Sequence, residues 1–555
     1  MRLSFILITL LPLFSLAQMP DLLQKADSLY RAKNYSEAAR LGEAFFKIDS
    51  TCDGCAFTIA KYHALAGESR KAIYYLKQAF KLGYASKYLD KQPDLNNLHE
   101  EKEWPDLVKI SFENYNQYDI KRAQKRKELM AKFKDWQKQW EADNQRSLKN
   151  IDTIGSAEQI YKRISSFNNF SDTKSFNNFL FLYHSINDST DAPYTVLLPN
   201  NYHPNNSYAV LVVLHGAVKA IGDLAPYADS FVVGGFNRHF TKYAIANNMI
   251  VVYPYANSKY NWMDPDDGFS MVPSIVTYLK HFLNIDDNRV YLTGHSNGAT
   301  GAFSYLMKAP NLFAAFTGMN TQPRVRTGGT FLMNAVNRSF YALATDKDYY
   351  YPPQANDTLL KLARNLGIDW KLDMNKGFPH WFPRFDAADE AVKRMFNQLT
   401  SKERNPFHED IYWQCDDITY GRCDWLSITG LDTLKRPASW QKEYNFDIHP
   451  WIDNVNPDKV IDSTAKAFNY PRKSGTVKAS FKNNQFNIQS SCVKSVKIYL
   501  SPEMVNFSKP LRISINGKQV FNKKVNYSKE YLLGEFEKKF DRKAIWVNTL
   551  DFKID

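Results

Sequence analysis

The stretch Asn288-Arg289-Val290-Tyr291-Leu292-Thr293-Gly294-His295-Ser296-Asn297-Gly298-Ala299 decides how this chain reads. Val290, Tyr291 and Leu292 form an apolar strand that runs straight into Gly-x-Ser-x-Gly. Ala299, Gly301 and Ala302 then suit a helix packed tightly on a sheet. A serine on such a turn sits in strained φ/ψ with its Oγ lifted clear of the backbone. Gly294 and Gly298 carry no Cβ, so strand and helix can approach where a side chain would clash. The N–H of Asn297, at the helix start, is a candidate donor to a developing oxyanion. The motif by itself also fits a glycine-rich turn without chemistry, so its partners must come from elsewhere in the chain.

Residues 175–400 supply them. The segments 194–199, 209–214, 249–253, 340–344 and 370–374 read as strands, with an amphipathic helix over 272–282. Strands separated by helical patterns predict a mostly parallel sheet covered on both faces. The chemistry falls at strand ends. His215-Gly216-Ala217 follows a buried strand, and Gly216 or Ala217 can offer a second N–H to an oxyanion. Asp346 and Asp348 follow 340–344, and either can orient an imidazole; the Asp-x-x-x-Pro spacing to Pro352 favours Asp348. His380 lies in a Gly/Pro-rich loop, Lys376-Gly-Phe-Pro-His-Trp-Phe-Pro383, where a general base belongs. Trp262, Asp264 and Asp266, after another strand, fit either a pocket wall or a surface loop.

The order Ser296, Asp348, His380, with His-Gly on an earlier strand, resembles an α/β-hydrolase. More narrowly, Pro193-Tyr194-x-Val196-x-Leu198-Pro199, Leu214-His215-Gly216, the run from Ile285 to Gly298, and Asp348-x-x-x-Pro352 resemble exported polyhydroxybutyrate-depolymerase-like and feruloyl-esterase-like hydrolases. The resemblance covers 165–402. It implies an acyl-enzyme mechanism with Ser296 as nucleophile, His380 as base then acid, and Asp348 as orienter. No metal or organic cofactor is implied. The chain departs from the family at Ala217, where a second glycine is common, and at Gly-Phe-Pro before His380.

The flanks differ in character. Arg2, the apolar run 3–16 and Ser15-Leu16-Ala17 resemble a signal peptide over 1–17, so the expected product is exported, periplasmic or secreted. No later stretch is long and apolar enough to span a bilayer. Over 20–115, Ala26, Ala32 and Ala38 recur 34 residues on as Ala60, Ala66 and Ala72, with Phe46 and Phe80 in register. This period resembles tetratricopeptide repeats, and a degenerate third unit would run through Leu95, Leu98 and Trp104. Such repeats either present a groove to a protein partner or cap their own chain.

The stretch 116–160 reads as a charged helical linker. Between 121 and 150, ten Lys/Arg face four Asp/Glu, a large share of the chain's net charge of +13. An exported chain without a nucleic-acid motif is no nucleic-acid binder, so the basic run reads as a solvated helix face. The stretch 403–470 reads as an aromatic-rich connector with Trp413, Trp425, Trp440 and Trp451. From 471 to 555 the pattern alternates, with Asn516-Gly517 as a hairpin turn.

The expected fold class is therefore α/β: a central α/β-hydrolase sheet, an N-terminal α-helical repeat region and a C-terminal antiparallel β-sandwich-like domain. Of the five cysteines, Cys52 and Cys55 form a C-x-x-C suited to a local disulfide or to a helix start, Cys415 and Cys423 are spaced to pair, and Cys492 is left over. The expected activity is hydrolysis of carboxylic esters on small molecules or polymers such as polysaccharides and polyesters. A serine peptidase uses the same groups, and an envelope scaffold using the repeats is the reading without catalysis.

Overall fold

The computed structural model describes residues 19–554 except 49, 144–150, 173–177, 219–233, 264–265, 349, 450, 453–459 and 462–463. The expected leader lies outside the described residues. The chain divides into two units, Met1–Leu129 and Met130–Asp555.

The first unit is helical: α1 (Met19–Arg31), α2 (Tyr35–Ile48), α3 (Asp53–Leu65), α4 (Ser69–Lys81) and the start of α5 (Trp104–Asp143). The 34-residue period appears as α2 and α4 opening at Tyr35 and Ser69. Ala26, Ala38, Ala60 and Ala72 are buried where the helices meet. Ala32 does not serve this purpose: it is exposed, beyond the end of α1. Leu95 and Leu98 are buried, but on a 3₁₀ turn (Pro93–Leu98) and not on a third helix pair. Cys52 and Cys55 are joined by a disulfide at the start of α3.

α5 carries the basic stretch and is helical through Asp143, so much of the expected linker is regular structure. In the second unit one stripe of α5 faces inward. Phe133 packs on Phe181 with ring centroids 5.0 Å apart, and Trp140 on Phe282 at 4.7 Å. Gln137 brackets the Tyr183 backbone, accepting from its N–H at 2.7 Å and donating to its carbonyl at 3.2 Å. Lys132 and Lys138 are exposed beside that stripe, as an amphipathic helix requires.

After α6 (Ala157–Ser165) the chain builds an eight-stranded sheet. Its strands are β1 (Phe179–Asn187), β2 (Thr190–Leu197), β3 (Tyr208–Leu214), β4 (Ile250–Pro254), β5 (Ile285–Gly294), β6 (Ala315–Met319), β7 (Ser339–Lys347) and β8 (Trp370–Pro379). Their spatial order is β1-β2-β4-β3-β5-β6-β7-β8. β1 and β2 are antiparallel to their neighbours, and β3 to β8 are parallel. β3 is buried at every position because helices cover both faces, which is why it reads Tyr-Ala-Val-Leu-Val-Val-Leu without alternation. On one face lie α8 (Asp266–Phe269), α9 (Met271–Lys280), α10 (Asn297–Lys308) and α11 (Pro353–Asn365). On the other lie α7 (Arg238–Ala246) and α12 (Ala388–Thr400). This mixed α/β sheet is consistent with an α/β-hydrolase over part of the chain.

A five-stranded and a four-stranded sheet follow, beside two two-stranded ribbons. The first comprises Asp410–Cys415, Gly475–Lys482, Gln485–Ser491, Leu511–Ile515 and Lys518–Lys523; the second comprises Arg422–Cys423, Leu426–Leu431, Val493–Leu500 and Asn548–Lys553. Three expectations are corrected here. The stretch 403–470 is not merely a connector: Asp410–Cys415 pairs along Gly475–Lys482, and Leu426–Leu431 along Val493–Leu500. Trp413 and Trp425 fill the space between the sheets and are fully buried. The module is not wholly antiparallel, because Gln485–Ile488 runs parallel to Arg512–Ile515. It also contains a helix, α13 (Lys529–Lys539), that period-2 reading did not reveal. Cys415 and Cys423 are both buried free thiols, not a pair.

Candidate active site

The turn from β5 to α10 is as tight as its glycines imply. A Cβ on Gly298 would lie 1.9 Å from the carbonyl oxygen of Leu214, and one on Gly294 would lie 2.5 Å from the Gly298 carbonyl carbon. Ser296 sits between them at φ 56°, ψ −121°. Side chains rarely adopt such a conformation, and it persists because strand and helix both hold the backbone. The Ser296 N–H donates to the Met319 carbonyl at 3.0 Å, which ties the turn to the end of β6.

Three of the sequence candidates meet here. His380 Nε2 lies 2.9 Å from Ser296 Oγ, and His380 Nδ1 lies 2.9 Å from Asp348 Oδ2. His380 and Asp348 are both buried. Asp348 Oδ1 accepts from the N–H groups of Tyr350 at 2.9 Å and Tyr351 at 3.2 Å, so the carboxylate is fixed from behind. Asp346 is not at the imidazole; it is exposed and accepts from the Gly377 N–H at 2.7 Å.

The candidate oxyanion loop also closes on the serine. A Cβ on Gly216 would sit 3.0 Å from the Ser296 Cβ and 3.1 Å from the His295 carbonyl oxygen, so a side chain here would press on the turn. Ala217 adopts φ 56° immediately after it. Asn297 is the first residue of α10, so its N–H belongs to the helix-start donors that lack an intrahelical acceptor. His215 is spent on shaping this loop: Nδ1 donates to the Gly216 carbonyl at 2.8 Å, and Nε2 accepts from the Ala256 N–H at 3.1 Å. Burial pushes its imidazole down to about 4, so it stays neutral in that tautomer.

Two residues not singled out from sequence hold the His380 backbone. His295 Nε2 and Asn320 Nδ2 each donate to the His380 carbonyl at 2.8 Å. Thr345 Oγ1 lies 3.3 Å from both Asn320 Oδ1 and the Pro379 carbonyl. The ends of β5, β6 and β7 therefore grip one backbone segment. Burial, and secondarily the nearby His380 charge, push His295 down to about 3, so it remains a neutral donor. His295 stood in the quoted motif as an unspecified residue, and Asn320 follows β6 at φ 51°, a conformation in which asparagine is enriched.

A cavity of 290 Å³ opens beside Ser296, with Phe236, Phe240, Tyr255 and Trp381 among its walls. Trp262 does not line it: the indole is fully buried against His215, at 4.8 Å between ring centroids, and against Gly301. Asp264 lies outside the described residues, and Asp266 opens α8. Among the described residues, His408, Cys423 and Asp424 bring possible metal-ligand atoms within 4.8 Å of one another. The fit to a cation is poor. Asp424 already pairs with Arg338 at 2.7 Å, and burial holds the Cys423 thiol well above its usual range.

No family model matches the sequence, and no curated protein matches it. Solved structures with a similar arrangement include esterases and other serine hydrolases. A thermostable esterase is 22% identical with TM-score 0.34, over 41% of this chain and 64% of that one. A ferulic acid esterase is 16% identical with TM-score 0.33, over 40% of this chain and 97% of that one. An S-formylglutathione hydrolase from Staphylococcus aureus is 14% identical with TM-score 0.32, over 41% of this chain and 99% of that one. At these scores the likenesses carry no argument about activity or substrate.

Proposed function

We propose that the second unit is a serine hydrolase of α/β-hydrolase fold that cleaves carboxylic esters through an acyl-enzyme. One observation carries this reading: Ser296 Oγ, the His380 imidazole and Asp348 form a continuous hydrogen-bonded line, 2.9 Å at each step, on a strained strand-to-helix turn. Ser296 Oγ attacks the ester carbonyl carbon while its proton passes to His380 Nε2. The resulting imidazolium is stabilised by Asp348, a general-base contribution typically worth ~10²–10⁴ in rate. The N–H of Asn297, with that of Gly216 or Ala217, receives the oxyanion; one such donor is typically worth ~10²–10³. Collapse breaks the bond to the alcohol oxygen, which takes the proton from His380. Water then attacks the acyl-enzyme by the same route and frees Ser296.

The apolar cavity supports an acyl or alcohol group of aromatic or aliphatic character. We assign the finer identity to exported esterases of the polyhydroxybutyrate-depolymerase-like and feruloyl-esterase-like type, acting on polysaccharide or polyester substrates. The leader-like residues 1–17 support export. The paired helices of the first unit support tetratricopeptide-like repeats as a protein-docking element.

The test is hydrolysis of p-nitrophenyl acyl esters, methyl ferulate, acetylated xylan and aminoacyl p-nitroanilides by wild type and Ser296→Ala, with fluorophosphonate labelling alongside. Ester cleavage and labelling, both lost in the variant, support the proposal. Cleavage confined to anilides makes the protein a peptidase. Silence on every substrate, without labelling, overturns the enzyme reading.

A further inference from the structure

A second cavity lies far from Ser296. It has a volume of 460 Å³ and is framed by α9, the turn after α10, and the segment that closes α13. It shares no residue with the cavity at the nucleophile. Ala309 and Leu312 in its wall follow the C-terminal end of α10, whereas Ser296 precedes the N-terminal end; the twelve residues of α10 separate them by about 18 Å.

Its charges do not balance. Arg404, Arg422, Lys538 and Lys539 line it, against Asp424 and Asp541. Both carboxylates are already committed. Asp541 receives Arg404 on two oxygens, at 2.7 and 2.9 Å, and Lys280 at 3.2 Å. Asp424 receives Arg338 at 2.7 Å and His408 at 2.8 Å. Arg422 pairs with Glu535 at 2.7 Å and lies over the Tyr499 ring at 3.7 Å. Among the described residues no carboxylate lies within ion-pair distance of Lys538 or Lys539. Both are exposed residues on the cavity wall. Desolvation there, then the Arg422 charge, pushes the Lys539 ammonium below its ordinary range against the opposing pull of Glu535. The helix dipole accounts for lysines at the end of α13, but the cavity also brings Arg404 and Arg422 to the same wall. Like charges gathered on a low-dielectric wall focus a positive field into the cavity, and an anion relieves their repulsion.

We infer that this cavity is a binding site for a sugar-sized organic anion. Its volume falls within the range of small-ligand sites, with Ser274 and Thr277 offering hydroxyls and Pro273 and Leu312 an apolar wall. The shared ligand chemistry is a carboxylate or phosphate borne on a polar ring, as in a uronate or a sugar phosphate. The site is separate from ester cleavage and stands whether or not Ser296 is a nucleophile.

Thermal unfolding and titration calorimetry of the full chain test it, with sodium glucuronate, glucose 6-phosphate, neutral glucose, and sodium chloride at matched ionic strength. The expected result is saturable stabilisation by one or both anions and none by glucose or chloride. The arm that binds more tightly identifies the anion. Lys538→Ala/Lys539→Ala should weaken that binding at least tenfold and leave hydrolysis of p-nitrophenyl acetate at its wild-type value. No saturable shift in the wild type overturns the inference. So does equal stabilisation by glucose, or an unchanged affinity in the double variant.

Discussion

His295 Nε2 donates to the backbone carbonyl of His380 at 2.8 Å, so the residue before Ser296 holds the residue whose imidazole faces Ser296 Oγ. The two are 85 positions apart in sequence. Asn320 donates to the same oxygen. Neither side chain touches Ser296 Oγ or the imidazole nitrogens by hydrogen bond; both act by positioning the loop. His295→Ala and Asn320→Ala should each lower kcat by roughly 10–100-fold with KM nearly unchanged, because small misplacement of a base is costly. His295→Gln, which keeps a donor, should recover part of the loss. Steady-state kinetics on a p-nitrophenyl ester check this, and a matching rise in KM would show damage to the cavity instead.

Asp346 and Asp348 separate cleanly. Asp348 faces His380 Nδ1 at 2.9 Å, while Asp346 accepts from the Gly377 N–H. Asp348→Asn should lower kcat by about 10²–10⁴, since the amide favours the wrong imidazole tautomer. Asp346→Asn should leave kcat within about threefold, because the amide oxygen still accepts from Gly377. Equal losses in the two variants would contradict the geometry.

The two neutral histidines make stability fall in acid. In the fold His295 is pushed down to about 3 and His215 to about 4, both below the ordinary value near 6.5. The unfolded chain therefore binds their protons first as pH falls. Their contribution is complete above about pH 6.5 and declines towards pH 4 for His215 and pH 3 for His295, by at most about 1.4 kcal/mol per pH unit for each group. Urea unfolding from pH 7 to pH 4 should show this slope. His295→Gln should flatten it by about one proton; an unchanged slope would mean that His295 titrates normally.

Gly298→Ala should be among the most damaging single-methyl additions in the chain. The new Cβ would stand 1.9 Å from the Leu214 carbonyl, and neither β3 nor α10 can yield without moving the sheet. The expected cost is about 3 kcal/mol or more. Gly54→Ala, inside α3 with nothing within 4 Å of its Cβ, should instead be neutral or stabilising by up to about 1 kcal/mol. Thermal unfolding of the two variants beside wild type reads both effects.

The local features were legible because their causes are local. Unbroken apolar runs mark β3 and β4 as strands buried on both faces. Gly294 and Gly298 mark the close approach of β5 and α10, because no other residue removes the Cβ. The 34-residue spacing marks two helix pairs, since small residues must recur where helices touch. The aromatic stretch around Trp413 and Trp425 was opaque for the opposite reason. Short strands paired with segments 60 or more positions away carry little periodicity of their own, and a buried tryptophan looks the same as an exposed one.

The sequence by itself determined the strand–turn–helix around Ser296, the alternation that builds a parallel sheet, and the chain order of serine, aspartate and histidine. Each follows from sterics or hydrophobic period within a dozen residues. Only the tertiary structure decided that Asp348 and not Asp346 meets His380, and that His295, Asn320 and Thr345 grip the His380 loop. It alone left Cys415 and Cys423 unpaired, and it alone gathered the surplus cations behind α10 into one cavity. These pairings depend on which strand ends lie side by side. That order is set by long-range packing, which no local pattern encodes.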